Sequence, residues 1–426
     1  MPVRARSKSS NQHKDNDAMT IGGTSKEAAL ASLVNMTGRA TPITIDEYRS
    51  RISRAQDFMR RHQIDALYLN AGSNLTYFSG VRWSPSERMV GAVLPASGEL
   101  LYVAPAFEEG TIRQFMVVEG EIRCWEEHEN PAALLRRILD EHGISATATK
   151  APKLYIDEST PLFLFEAIRA ATPGVSLESA APVTSFCRMR KSDAELALIQ
   201  CAMDMTMAVH RATGAILHEG ITSVEVEEFI RLAHRQVGAS GSYFCIVLFG
   251  EASSYPHGVN YVQTLKRGDT VLIDTGCKVH NYISDITRTY VFGEPSERQR
   301  FVWNAEQQAQ RAAFEAAQLG VACEEVDKAA RRSLEANGFG PGYKLPGLPH
   351  RTGHGIGLDI HEGPYLVGGE RRVLEPGMCF SNEPMICVPG EFGVRLEDHF
   401  YMTAAGPKWF TQPAASLEDP FNAAGA

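Results

Sequence analysis

From Ile45 to about Pro182, strand-like and helix-like stretches alternate along the chain. Glu47–Arg61 mixes apolar and charged residues at helical spacing. Asp65–Asn70 (DALYLN) and Met89–Pro95 are strand-like, and Ser97-Gly98 marks a turn into Leu100–Val103. Ala132–His142 reads as an amphipathic helix, Lys153–Ile156 as a strand and Leu162–Ala171 as a further helix. Strands alternating with helices predict a three-layer α/β domain. Ser192-x-x-Glu195 then forms a capping box, and Leu196, Ile199, Met203 and Met207 recur at helical spacing. This predicts a new helix with its methionines in the core and puts a domain boundary at 188/189, just inside the basic run Arg188-Met189-Arg190-Lys191.

The second half contains an internal echo. Gly220 through Val226 and Arg231 to Gly238 matches Gly320 through Val326 and Arg331 to Gly338, offset by 100 residues. Each copy starts at a glycine, enters an amphipathic pattern and stops at another glycine. A histidine-bearing loop follows each: Pro256-His257-Gly258 and Gly353-His354-Gly355. Two related half-domains facing each other would leave a site between them. Thr270–Asp274 (TVLID) and the run from Tyr282 to Phe292 read as a β-hairpin carrying Asp274 on one strand and Asp285 on the other. Asp285, Thr287 and Thr289 alternate and so share a face.

Composition narrows the setting. The 426 residues suit two or three domains. With 42 basic and 51 acidic side chains, the net charge of −9 argues against a nucleic-acid or anionic-membrane partner. No apolar run approaches the ~18 residues of a membrane-spanning helix. Eight scattered cysteines without a C-x-x-C pair read as reduced thiols of a cytoplasmic protein. Residues 1–44 read as a polar extension without a secretory core. Arg4, Arg6, Lys8 and Lys14, with no acid among the first fourteen residues, suit either a transit peptide or a loose leader.

The chemistry lies after residue 270. An acid inside an apolar strand is costly unless its charge is compensated. Besides Asp274 and Asp285, Glu383 sits within the apolar run MCFSNEPMICV and Glu397 within GVRLEDHFYM, with Arg395 two residues before it on the same face. His354 is flanked by glycines in Gly353-His-Gly-Ile-Gly357. Carboxylates converging in one cavity would repel and take up protons unless cations neutralise them. Two divalent ions would do so, and oxygen-rich ligation with one imidazole and no thiolate favours manganese, with cobalt or zinc as alternatives. A hydroxide shared by two such ions is nucleophilic at neutral pH, so the expected chemistry is metal-assisted hydrolysis.

Taken together, Asp274-Thr-Gly, Ser284-Asp285-Ile-Thr-Arg-Thr289, Gly353-His-Gly-Ile-Gly-Leu-Asp-Ile-His361-Glu, Asn382-Glu-Pro and Arg395-Leu-Glu397-Asp resemble the "pita-bread" metallopeptidases of family M24. That group includes Xaa-Pro dipeptidases (prolidases), aminopeptidase P and methionine aminopeptidase. The resemblance covers about residues 190–403, and the preceding α/β region is similar to the creatinase/prolidase N-terminal domain. It implies a domain at 45–188 followed by a pita-bread catalytic domain at 189–426. The latter would have a curved, mainly antiparallel sheet and pseudo-two-fold internal symmetry.

The resemblance also implies roles. Asp274 would chelate one metal and His354 with Glu383 the other, with Asp285 and Glu397 bridging both. Glu383 would also shuttle a proton to the leaving amine. His257 and His361 would contact the substrate carbonyl, and Arg395 would orient substrate or a side chain beside Glu397. The implied partners are a small proline-containing peptide as substrate and a second copy of the chain in a homodimer, with Tyr77–Trp83 nearest the neighbour's site.

One departure bears on the substrate. Several prolidases carry an arginine just after the His-Glu pair to hold the terminal carboxylate; here Tyr365 follows His361-Glu362-Gly363-Pro364, and Arg371 and Arg372 come later in a loop-like VGGERR. The departure at Tyr365 argues against a strict requirement for proline, but on the whole-chain resemblance hydrolysis of Xaa-Pro dipeptides is the leading expectation. Aminopeptidase P-type release of an N-terminal residue stands beside it, as does a non-peptidase use of the scaffold like creatinase or dimethylsulfoniopropionate lyase.

Overall fold

The protein is described from a computed structural model covering residues 21–147 and 151–422. The first half is built on a six-stranded sheet in the order Glu121–Trp125, Leu101–Pro105, Gly91–Pro95, Ala66–Asn70, Lys153–Ile156, Ser176–Ser179. Gly91–Pro95 runs antiparallel to both neighbours and the remaining pairs are parallel. The central strands Ala66–Asn70, Gly91–Pro95 and Leu101–Pro105 are buried along their whole length. Helices Ile45–Arg61, Pro131–Glu141 and Leu162–Ala171 flank the sheet, as the alternation predicts.

The Ser192–Glu195 capping box forms and opens the 24-residue helix Asp193–Ile216. The second half then repeats itself. Asp193–Ile216 packs on Ser223–Gln236, and Glu297–Ala316 packs on Cys323–Ala336. The echo is visible in the backbone. Gly220 and Gly320 enter their helices with φ of +91° and +78°, and Gly238 and Gly338 leave them with +106° and +83°. These left-handed values favour glycine at all four corners. Gly220 N–H bonds Leu265 C=O in the first copy, and Gly320 N–H bonds Leu374 C=O in the second.

The sheets between these helix pairs are antiparallel. Thr270–Gly276 is flanked by Phe244–Phe249 and Ile286–Val291, with Asp274 opposite Thr287. A five-stranded sheet runs Glu362–Leu366, Gly353–Gly355, Cys379–Asn382, Asp398–Thr403, Gly406–Trp409. A bridge between Thr287 and Glu397 joins the two, and the short hairpin Met385–Val388/Phe392–Arg395 closes one end.

Two sequence expectations need correction. Of the 1–44 extension, residues 1–20 lie outside the described residues, but 21–44 is docked rather than loose. Gly22 and Thr24 N–H groups bond the Gly214 and Ala215 carbonyls, Met36 N–H bonds Val237 C=O, and Ala29, Leu33 and Met36 are buried. The helix Lys26–Ala31, capped by Ser25, turns Ala29 inward. The segment proposed to face a neighbour is largely spent within the chain. Tyr77 to Val81 are buried, with the Tyr77 ring under the Arg51 guanidinium and its hydroxyl bonded to Cys187 C=O. Of that segment only Arg82 and Trp83 reach the surface.

Candidate metal centre

Five chain segments deliver the acids and imidazoles to one place. Asp274 lies on Thr270–Gly276, and Asp285 immediately precedes Ile286–Val291. His354 is central in Gly353–Gly355, Glu383 follows Cys379–Asn382, and Glu397 lies between Phe392–Arg395 and Asp398–Thr403. His354 Nε2 is 3.6 Å from Asp285 Oδ2 and 3.1 Å from Glu383 Oε1. His354 Nδ1 lies 3.0 Å from the Gly355 carbonyl oxygen, which can only accept. The Nδ1 proton is therefore fixed there, and Nε2 is turned toward the acids. Gly353 and Gly355 are required by crowding, since a Cβ would fall 2.1 Å from Ser381 O at the first and 2.5 Å from Glu362 O at the second.

Arg395 ties the acids into a chain. Its Nη2 donates to Asp274 Oδ2 at 2.6 Å, its Nε to Thr287 Oγ1 at 3.1 Å, and its Nη1 to the Pro256 carbonyl at 3.1 Å. Thr287 Oγ1 in turn donates to Glu397 Oε2 at 2.7 Å. Arg395 thereby holds two acids and the backbone next to His257. Asp398, in contrast, is turned away into a bidentate pair with Arg288 and serves the scaffold.

The electrostatics are those of a site short of positive charge. Burial first, and then the charges of Glu397, Asp274 and Glu383, push the Asp285 carboxyl well above its ordinary range. Burial, Glu383 and Asp274 do the same to Glu397. Burial also raises Asp274, with Arg395 opposing. Glu383 goes the other way: burial is outweighed by the hydrogen bond to His354 and its charge, so the carboxyl falls far below its usual range. Asp274 Oδ1 and Glu397 Oε1 are buried without any hydrogen-bond partner. Orphaned acceptor atoms beside mutually repelling acids fit divalent cations, which satisfy both the charge and the lone pairs.

A cavity of about 460 Å³ opens onto this cluster, lined by Pro256, His257, Pro349, His350, Arg351, His361, Glu383 and Arg395. All the predicted proton-handling and carbonyl-facing side chains lie on its wall. The His361 ring stands edge-on to His354, with centroids 4.2 Å apart. Partial burial against the cavity wall, with His354 alongside, lowers the His361 pKa to about 4. A larger groove of about 1050 Å³ on the first half, beside Arg49, Gln56 and Arg113, gathers no comparable chemistry.

Sequence reasoning missed four contributors. His350 and Arg351 line the cavity, with the Arg351 guanidinium 4.3 Å over the Tyr365 ring. Their positions, four and three residues before His354, were the available signal. Glu362 is gripped by Lys191 (Nζ to Oε1, 2.6 Å) and Arg188, which also bonds Asp359 at 2.7 Å. Burial opposes ionisation of Glu362, but these two cations hold its carboxyl below the ordinary range. The basic run at the start of the second half thus anchors the loop bearing His361, and removing one buried cation would cost about 3–5 kcal/mol. The fourth is His399, two residues after Glu397. Its ligand atom and those of Asp285, His354 and Glu397 all lie within 4.8 Å of one another.

The profile of "Metallopeptidase family M24" matches residues 197–404, and that of the "Creatinase/Prolidase N-terminal domain" matches residues 51–190. The chain is 34% identical over 363 residues to "Probable dipeptidase PepE" of Mycobacterium tuberculosis, covering 84% of this chain and 93% of the relative. The protein belongs to metallopeptidase family M24. Among solved structures, dipeptidase PepE from Mycobacterium ulcerans superposes with a TM-score of 0.80 at 32% identity, over 88% of this chain and 99% of that one. Prolidase from Thermococcus sibiricus follows at 0.77 and 30%, over 86% and 97%. The M24 chain therefore combines a creatinase/prolidase-type N-terminal domain with a pita-bread domain, as its motifs imply.

Proposed function

We propose that this protein is a dipeptidase that uses two divalent metal ions to hydrolyse the peptide bond of Xaa-Pro dipeptides. The observation carrying this reading is the set Asp274, Asp285, His354, Glu383 and Glu397, four acids that Arg395 compensates only in part and that leave Asp274 Oδ1 and Glu397 Oε1 buried without a partner. Asp274 with Asp285 and Glu397 would hold one ion; His354 and Glu383 with the same two shared acids would hold the other. Manganese suits the oxygen-rich donors, and cobalt or zinc would also fit. When bound, the ions supply Lewis acidity toward the scissile carbonyl and lower the pKa of water.

The chain's residues supply the rest. Glu383 is ionised and faces the cavity, so it can take a proton and return it to the leaving amine. Ser381 donates to Glu383 Oε1 at 3.1 Å and steadies it. His257 and His361 stand on the cavity wall where negative charge would develop on the carbonyl oxygen, and a neutral imidazole N–H is a suitable donor. Arg395 is a positioning residue: it fixes Asp274, Thr287 and the Pro256 carbonyl. Neither Arg371 nor Arg372 lines the cavity, but Arg351 does, braced on Tyr365. It places a cation where a short peptide's terminal carboxylate would lie, which favours dipeptides over longer chains.

Residues 45–188 would form the N-terminal domain and 189–426 the catalytic one. A cytoplasmic setting is supported by eight free cysteines. Among the described residues no helix is long and apolar enough to cross a membrane. A homodimer is part of the same proposal, with a monomer at micromolar concentration in sedimentation as the contrary result.

Metal-loaded enzyme offered Ala-Pro, a tripeptide with proline second, creatine and dimethylsulfoniopropionate tests the reading. Cleavage of Ala-Pro and not of the tripeptide is expected. Cleavage of the tripeptide alone would assign the aminopeptidase P reaction instead, and turnover of only a non-peptide would remove both peptidase readings.

A further inference from the structure

His399 is the one buried histidine, among the described residues, with neither ring nitrogen hydrogen-bonded. It sits on Asp398–Thr403 opposite Ser381, the residue that bonds both the His354 N–H and Glu383. Strand alternation sends Asp398 toward Arg288 and leaves Glu397 and His399 together on the other face. Its ring is fully buried, and a buried donor and acceptor left unmade are both costly. His234, equally buried, shows the usual solution: its two nitrogens meet the Thr206 and Ser242 hydroxyls. At His399 only the Asp285 backbone comes near the ring, and no side-chain hydroxyl serves it. What its ring has instead is the company of Asp285, His354 and Glu397, with one ligand atom from each of the four mutually within 4.8 Å. Four donors gathered that closely need shift by only a few tenths of an ångström to surround one ion at ordinary bond lengths of ~2.0–2.3 Å.

We propose that His399 is a sixth metal ligand, binding the ion that His354 holds. This rests on the two-metal reading above and extends it beyond the five residues of the motif. A second imidazole makes one of the two sites richer in nitrogen, which moves its preference from manganese toward cobalt and zinc, while the other site stays all-oxygen. The two sites would then differ in affinity for the same ion.

The deciding experiment is the crystal structure of cobalt-loaded wild-type protein, with the ions located by anomalous scattering. A His399 ring nitrogen about 2.0–2.3 Å from one ion is expected. Ions in place with the ring more than ~3 Å from either would overturn the inference and leave the two-metal reading standing. No ion in the cluster would overturn both. In solution, His399→Gln should weaken cobalt binding at one of the two sites by at least ~10-fold and alter the visible cobalt spectrum, with His399→Val as a second variant at this buried position. Unchanged affinity and spectrum in a folded variant would count against ligation, and the wild-type structure decides where neither variant folds.

Discussion

Replacing Asp285 by asparagine should move the stability of the metal-free and metal-loaded protein in opposite directions. In the metal-free protein the Asp285 carboxyl is buried beside Glu397, with ligand oxygens no more than 4.8 Å apart. Two like charges at that separation repel by about 3–4 kcal/mol at an effective dielectric constant of ~20. The amide removes that repulsion but must find its own hydrogen bonds, which returns ~1 kcal/mol. The net gain is ~2–3 kcal/mol. At ~2.1 cal/mol/K of unfolding entropy per residue, a chain of 426 residues shifts its melting temperature by ~1 °C per kcal/mol. Asp285→Asn should therefore melt about 2–3 °C above wild type after exhaustive chelation at pH 7. Because the folded pKa is raised above the unfolded one, wild type regains this stability as the pH falls through the folded value. The variant should lack that gain. Manganese should then raise the wild-type melting temperature and leave the variant unmoved. Calorimetry of stripped and reloaded protein measures all of this. A stripped variant that melts below stripped wild type, or an equal gain from metal in both, would refute the charge argument.

Other outcomes follow from the same geometry. His361→Ala should lower kcat on Ala-Pro about 10²–10³-fold with little change in KM, the loss typical of one oxyanion donor, as steady-state kinetics would show. Arg351→Ala should raise KM for Ala-Pro by about 10-fold or more through a lost charged hydrogen bond; equal effects on Ala-Pro amide would disprove a carboxylate contact. His210 and His234 are buried neutral, with pKa values lowered mainly by burial to about 3 and about 4. Both sit below the unfolded value of ~6.5, so their stabilisation is complete above that pH and is lost as the pH falls. Denaturant titrations of metal-loaded protein should show about 2 kcal/mol lost per histidine at pH 5, with His234→Gln flattening the slope.

How much of this was legible in the sequence depended on where each residue's partners lie. Lys153–Ile156 and Leu162–Ala171 were readable to the residue because their apolar period reports a face buried by the same segment. The pairing of the Asp274 strand with the run after Tyr282 and the Ser192 cap follow from short-range rules and appear in the structure, although Asp285 falls one residue before its strand. The strands Glu121–Trp125 and Ser176–Ser179 were not legible, since edge strands left partly open to solvent need no apolar alternation. The docking of residues 21–44 rests on backbone hydrogen bonds to a helix nearly 200 positions away, which no local pattern encodes. Arg188 and Lys191 read only as part of a basic run at the domain boundary, yet both are buried against Glu362, a partner about 170 residues on. His399 was hidden in the same way: beside Glu397 it reads as an ordinary strand residue, and only the fold shows that its ring lacks partners.

The most direct test of the central claim is a metal titration of fully stripped protein, following bound ions and Ala-Pro hydrolysis together. The account predicts two ions per chain, with hydrolysis appearing only as the cluster fills. Hydrolysis that persists at full rate in excess chelator, or a chain that takes up no ion at Asp274, Asp285, His354, Glu383 and Glu397, would contradict it.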